Sequence, residues 1–205
     1  EGLSRMPEFV QSLRVLEKLG YVRSDKSLTL KGAALCELGT PSSELVATEL
    51  IFANVMSALD APMAAALLSA LVFQDKTECN FLDDVPKELV EAYEKVSQLA
   101  FTAGEAQRAA GLDVDPAEFV RENLNFGLLS VVYRWGCGLS FADICADTDV
   151  MEGSIVRCIV RLDELTREFR DVARVCGNSE LWQLMNDAST CIKRDIVFAA
   201  SLYVA

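Results

Sequence analysis

Glu152-Gly153-Ser154-Ile155-Val156-Arg157-Cys158-Ile159-Val160-Arg161-Leu162-Asp163-Glu164-Leu165-Thr166-Arg167-Glu168-Phe169-Arg170-Asp171-Val172-Ala173-Arg174-Val175-Cys176 is the stretch that decides the fold. At 100° per residue, Ile155, Cys158, Leu162, Leu165, Phe169, Val172 and Cys176 fall on one apolar stripe, as in a long amphipathic helix laid on a core. Arg157 and Arg161 run along one border of that stripe, in line with Glu164 and Glu168. Arg167, Arg170 and Arg174 occupy a separate face. Asp149-Val150-Met151-Glu152 has the pattern of a capping box at the start, and Gly177-Asn178 is a natural stop.

Working outward, the neighbouring segments are also helical. Ser179 starts a final helical stretch, and the last fourteen residues, Ile192 to Ala205, are apolar almost to the end, which predicts burial against a docking surface. Ser140 caps a helical turn through Phe141 and Ile144; before it, a helix from Phe126 to Trp135 stops at Gly136-Cys137-Gly138. Pro116 opens a short helix, Lys87 to Ala110 a long one ended by Gly111, and Gln74 to Asp84 is polar and reads as a loop. Ser43 caps a helix through Val46, Leu50, Ile51 and Val55. The next, with Pro62 in its first turn, is predicted to run to Phe73.

Pro7 to Leu19 is a further helix, closed by Gly20. Tyr21-Val22-Arg23 and Leu28-Thr29-Leu30, joined by Ser24-Asp25-Lys26-Ser27, predict a short β-hairpin. The fold class is therefore mainly α: a helical bundle over residues 39–205, preceded by a partial winged-helix remnant with a β-hairpin over 1–38. With no initiator methionine before Glu1, the chain is expected to be a fragment of a longer polypeptide.

Composition narrows the chemistry. The 205 residues are 51% hydrophobic with a formal charge of −12, so a sizeable core is available while the surface as a whole repels phosphate. Any contact with RNA must then be local, or shared with a more basic neighbouring domain. Histidine is absent, which excludes Ser-His-Asp and Cys-His nucleophiles, His metal ligands and imidazole switches. The seven cysteines form no Cys-x-x-Cys pair and are odd in number, which predicts buried reduced thiols and an intracellular setting. The longest uncharged run, Ala61 to Gln74, is too short to span a bilayer, so no membrane partner is expected.

The chain contains no phosphate-binding loop, no Gly-x-Gly-x-x-Gly turn and no Asp-Glu-x-His box, so no catalytic residue is assigned. Acidic pairs such as Asp163-Glu164 read as solvated surface carboxylates. Arg161 admits two readings from periodicity: a solvated i,i+3 pair with Glu164, or, with Arg157, a guanidinium pointing into a channel where it can stack on an RNA base. Ser140 to Arg161 has a helix-turn-helix outline, yet Met151-Glu152-Gly153-Ser154 offers no good base-reading donors, so DNA is not an expected partner. Trp135, Trp182 and Phe198 fall within apolar helical patterns and are expected in the core.

Several segments in order resemble the DExH-box RNA helicases that feed the RNA exosome. They are Leu30-Lys31-Gly32, Thr48-Glu49-Leu50-Ile51-Phe52, Ala66-Leu67-Leu68-Ser69, Phe73-Gln74-Asp75 and Val131-Val132-Tyr133-Arg134-Trp135. They continue with Glu152-Gly153-Ser154-Ile155-Val156-Arg157, Gly177-Asn178-Ser179 and Lys193-Arg194-Asp195-Ile196-Val197-Phe198-Ala199-Ala200-Ser201-Leu202-Tyr203. Leu124 to Leu128 leans toward the cytoplasmic superkiller (Ski-complex) branch, whereas Asp149-Val150 is closer to the nuclear exosome-cofactor branch.

The resemblance implies a DSHCT, or helical-bundle, domain that packs on two RecA-like motor domains and closes the far side of the RNA channel. One long helix then acts as a ratchet on the single strand. It implies that Arg161, and Asp75 following Phe73-Gln74, reach RNA; Arg157 and Gln74 beside them complete the candidate RNA-binding set. Relatives usually carry Glu at the Asp75 position, and many carry Arg where Ala33 stands here. No cofactor is implied for this chain itself; ATP and Mg²⁺ would belong to the motor domains. The implied partners are single-stranded RNA, the chain's own motor domains and exosome or Ski-complex adaptor subunits, and the implied location is cytoplasmic, with nuclear as the alternative.

Overall fold

The computed structural model describes residues 6–77, 82 and 85–194. Among the described residues ten helices make up nearly all of the regular structure: α1 (Met6–Lys18), α2 (Leu30–Leu35), α3 (Glu44–Phe52), α4 (Ala61–Ser69), α5 (Lys87–Ala109), α6 (Pro116–Asn123), α7 (Leu129–Gly136), α8 (Phe141–Ala146), α9 (Glu152–Cys176) and α10 (Ser179–Ile192). Short 3₁₀ turns at Val55–Ala58 and Phe126–Leu128 join them.

The arrangement follows from which faces are apolar. In α4, every residue from Met63 to Ser69 is buried. A helix that is apolar all round belongs inside, and here α7, α9, α10 and α5 pack about it. α9 lies along α10 and also touches α4 and α2, and α5 is covered by α6 and α3. Two starts are as the sequence indicated, Ser43 Oγ accepting from Val46 N and Pro62 standing in the first turn of α4; Asp60 caps α4 and Asn178 caps α10 besides. Gly177 ends α9 with φ +66, a left-handed conformation that glycine adopts without strain.

Several expectations need correction. The β-hairpin contracts to a single antiparallel bridge between Val22 and Leu28. It cannot extend because Thr29 turns its hydroxyl to Gly32 N at 3.1 Å and caps α2, which already begins at Leu30. The winged-helix remnant is therefore not supported by strand pairing. α4 ends at Ser69 rather than Phe73, since Ala70, Leu71 and Val72 bond to carbonyls three residues back and tighten the chain into turns. The capping box at Asp149 does not form: Met151 occupies the cap without a side-chain bond, and Asp149 accepts from the Thr77 hydroxyl instead.

A further correction concerns Asp163, which is fully buried rather than a solvated carboxylate. It accepts from Ser189 Oγ at 2.6 Å, from Lys193 Nζ at 3.0 Å and from Arg167, and so ties α9 to the end of α10. Burial pushes its carboxyl upward, but the bonds from Ser189, Arg167 and Lys193 outweigh burial and hold it below its ordinary value.

Several motif residues prove to be architectural. Lys31 pairs with Glu49 at 2.7 Å beneath Tyr21, whose hydroxyl donates to the same carboxylate at 2.7 Å. Burial, reinforced by Glu49, raises the Tyr21 hydroxyl well above its usual range. Gly32 passes so close to the Tyr21 backbone that a Cβ there would lie 2.2 Å from the carbonyl oxygen. Gly32→Ala is expected to destabilise by about 1–3 kcal/mol through overpacking, despite the better helix propensity of alanine. A melting temperature equal to or above that of the unsubstituted chain would show that the Tyr21 carbonyl can retreat.

Trp135 sits fully buried, its Nε1 donating to Ile192 O at 2.9 Å. The Arg194 guanidinium lies 3.8 Å over its ring and donates to the backbone carbonyls of Trp135, Gly138 and Leu139. Arg134, in the last turn of α7, pairs at 2.6 Å with Asp147, which follows α8. Trp182 is partly rather than fully buried. Of the described cysteines all six are free thiols, but only Cys158 is buried, and Cys36 and Cys137 are exposed. Of the C-terminal tail whose burial was expected, Ile192 to Ala205, Ile192 is buried; residues 195–205, Phe198 included, lie outside the described residues, as does Cys79.

Candidate nucleic-acid interface

The four candidate residues, distributed between positions 74 and 161, come together. The turn that leaves α4 carries Val72 and Phe73 inward and Gln74 and Asp75 outward, against the first three turns of α9. Between them lies a groove of about 170 Å³ lined by Gln74, Asp75, Arg157 and Arg161, with Val72, Phe73 and Cys158 as its apolar floor. The spacing explains the alignment: Ser154, Arg157, Cys158 and Arg161 recur every three to four residues and so share one side of the helix.

The cations are held differently. Arg157 is exposed, donates to Ser154 Oγ at 2.7 Å and stands 3.6 Å from the Asp75 carboxylate. With side chains 71% and 50% exposed, that ion pair is worth at most about 1 kcal/mol and yields readily to a competing ligand. Arg161 is half-buried, and its Nη2 donates to the Thr40 carbonyl at 3.1 Å. The pairing of Arg161 with Glu164 that periodicity allowed is not among the ion pairs of the described residues. A guanidinium anchored by one nitrogen keeps its flat faces for stacking.

Thr40 is the participant that the sequence reading missed. It contributes a backbone carbonyl from 121 residues away, and no side-chain pattern marks such a contact. Cys158 contributes no nucleophile: burial pushes its thiol up to about 12, with Arg161 pulling down and Asp75 pushing up more weakly.

Elsewhere, a cavity of about 200 Å³ opens between α3 and the start of α10, lined by Leu50, Ile51, Asn54, Glu180, Leu181 and Leu184 among others. Its lining includes no cation and one carboxylate, which suits a polyanion poorly. Among the described residues no cluster of three acidic or thiol groups is arranged to hold a metal, and no helix is long and apolar enough to cross a membrane.

The groove side chains stand on segments that recur in known proteins. The DSHCT (NUC185) domain pattern matches residues 25–199. Over 204 residues the chain is 44% identical to the DExH-box ATP-dependent RNA helicase DExH11 of Arabidopsis thaliana, covering all of this chain and 15% of that protein. It is 42% identical over 203 residues to the human Superkiller complex protein 2, covering 99% of this chain and 16% of the relative. To the human Exosome RNA helicase MTR4 it is 37% identical over 200 residues, covering 98% of this chain and 19% of the relative. The chain thus spans between about a seventh and a fifth of the length of these relatives. The resemblance to exosome-associated DExH-box helicases extends along the whole sequence, and the chain belongs to the DSHCT (NUC185) domain family.

Proposed function

We propose that this chain is the helical-bundle region of an ATP-dependent 3′→5′ RNA helicase of the superkiller type, and that the α9 groove grips single-stranded RNA. The observation that carries this reading is the convergence of Gln74, Asp75, Arg157 and Arg161 on one groove with an apolar floor. Such a site suits unpaired bases: an anchored guanidinium stacks on any base, while the −12 surface discourages indiscriminate phosphate binding. ATP and Mg²⁺ belong to motor domains elsewhere in the parent protein, against which the bundle packs. Relatives named as a Superkiller complex protein and an Exosome RNA helicase support an exosome and a Ski-type complex as partners; adaptor subunits and a cytoplasmic setting, with nuclear as the alternative, complete the proposal.

A second reading, a scaffold that docks the motor domains with little RNA contact, is favoured by the same net charge and by Asp75 partly neutralising Arg157. Arg161→Ala in the full-length helicase separates the two. The RNA reading expects single-strand affinity, followed by fluorescence anisotropy, to weaken by about 1–3 kcal/mol with the melting temperature nearly unchanged. Affinity and unwinding equal to the parent would favour the scaffold.

A further inference from the structure

Glu168 lies seven residues after Arg161 on α9, roughly 10 Å along the axis and on nearly the same face. At that separation the two side chains do not meet, and a loop spans the gap between them. One carboxylate oxygen of Glu168 accepts from the backbone N–H groups of Gly39 and Thr40, both at 3.0 Å. The other accepts from Thr40 Oγ1 at 2.6 Å. Bonds to an ionised acceptor are the stronger kind, and three of them converge on two residues. The carbonyl of the same Thr40 then accepts from Arg161 Nη2.

We infer that Glu168 is a positioning residue for Arg161, acting through the clamped Gly39–Thr40 loop; this rests on the RNA reading of the groove proposed above. Pro41 follows Thr40 and confines it to extended conformations, so fixing the Thr40 amide also fixes the direction of its carbonyl. Beyond Pro41, Ser42 N donates to Leu71 O at 2.7 Å, which ties the loop to the segment leading into Phe73, Gln74 and Asp75. That bond holds the far end of the loop without Glu168, so the clamp acts on the groove through the Thr40 carbonyl and Arg161. Its consequence for binding is pre-organisation: an arginine already held at the groove loses less freedom when RNA arrives.

The test is a double-mutant cycle on single-stranded RNA affinity in the full-length parent helicase, with Glu168→Ala, Arg161→Ala and the pair. Glu168→Ala is expected to weaken binding about 2- to 10-fold, the range for releasing one side chain from a pre-set geometry. Added to Arg161→Ala it should weaken binding no further, because no guanidinium is left to orient. Glu168→Gln should bind nearly as the parent, since its amide oxygen still accepts the two backbone N–H groups and its NH₂ can donate to the Thr40 hydroxyl. Should Glu168→Ala fail to fold, Glu168→Asp serves: the charge stays and the reach shortens, and the same non-additivity is expected.

Glu168→Ala binding as tightly as the parent while Arg161→Ala binds weakly would overturn the positioning role and leave the RNA reading standing. So would full additivity of the two substitutions, which would place the action of Glu168 away from Arg161. If Arg161→Ala alone leaves affinity unaltered, the RNA reading falls and the positioning role with it.

Discussion

Trp135→Ala is expected to destabilise this bundle by about 3–5 kcal/mol, the range for removing a large aromatic side chain from a packed interior. Trp135 is fully buried, meets Phe141 edge-on at 6.0 Å between centroids, and donates its indole N–H to the Ile192 carbonyl. It is also the platform for Arg194, whose guanidinium lies on the ring while bonding the carbonyls that end α7. Truncation therefore leaves a void between α7 and α10 and removes one of the donors to the Ile192 carbonyl, which keeps the Arg194 N–H at 3.1 Å. At 2–4 °C per kcal/mol for a chain of this size, the melting temperature should fall by roughly 10 °C. Trp135→Phe should lose less, because most of the volume stays and only the N–H is removed. A loss under about 1 kcal/mol for Trp135→Ala would show that α7 and α10 can close the gap.

Asp163→Ala is the second large effect, about 2–4 kcal/mol destabilising. Breaking a buried ion pair from one side usually costs about 3–5 kcal/mol, because the orphaned charge stays buried. Here Arg167 and Lys193 are 56% and 39% exposed and can rehydrate, which sets the expectation lower. Ser189 has no such escape, being buried with its hydroxyl aimed at the missing carboxylate.

The pH dependence has a definite sign. Because the folded-state carboxyl titrates below its unfolded value of about 3.9, the stability it brings is complete above that value. It is lost as pH falls through the depressed folded value. The gap in melting temperature between the parent and Asp163→Asn should therefore hold at neutral pH and close in acid. A gap that widens on acidification would mean the carboxyl is raised, not lowered, in the folded state.

Several helix ends and the main apolar stripe were legible in the sequence because each depends on local chemistry. Ser43, Pro62 and Gly177 act within one turn of their own positions, and six of the seven stripe residues on α9 are buried as spacing predicts, Cys176 being the partial exception. Asp163 was not legible, because periodicity places a residue on a face without saying whether a second helix covers that face. α10 does cover it, and so Ile159, Asp163, Thr166 and Ala173 are buried beside the expected stripe.

The lost hairpin has a similar cause. Thr29 is a strand former by propensity, yet its hydroxyl caps α2, and the cap prevails over the strand. At the groove, the family motifs supplied the residues and the periodicity of α9 aligned two of them. The bond from Arg161 to Thr40 was invisible, since the acceptor is a main-chain oxygen and any residue type could provide it.

The claim that the α9 groove touches the RNA strand is tested most directly by photo-crosslinking. Single-stranded RNA carrying a photoreactive base would be bound to the full-length helicase, irradiated, and the attached peptides mapped. The account predicts adducts on the segments that line the groove, Val72 to Asp75 and Ser154 to Arg161. Adducts confined to the motor domains, with neither segment modified, would contradict it and leave this chain a helical scaffold.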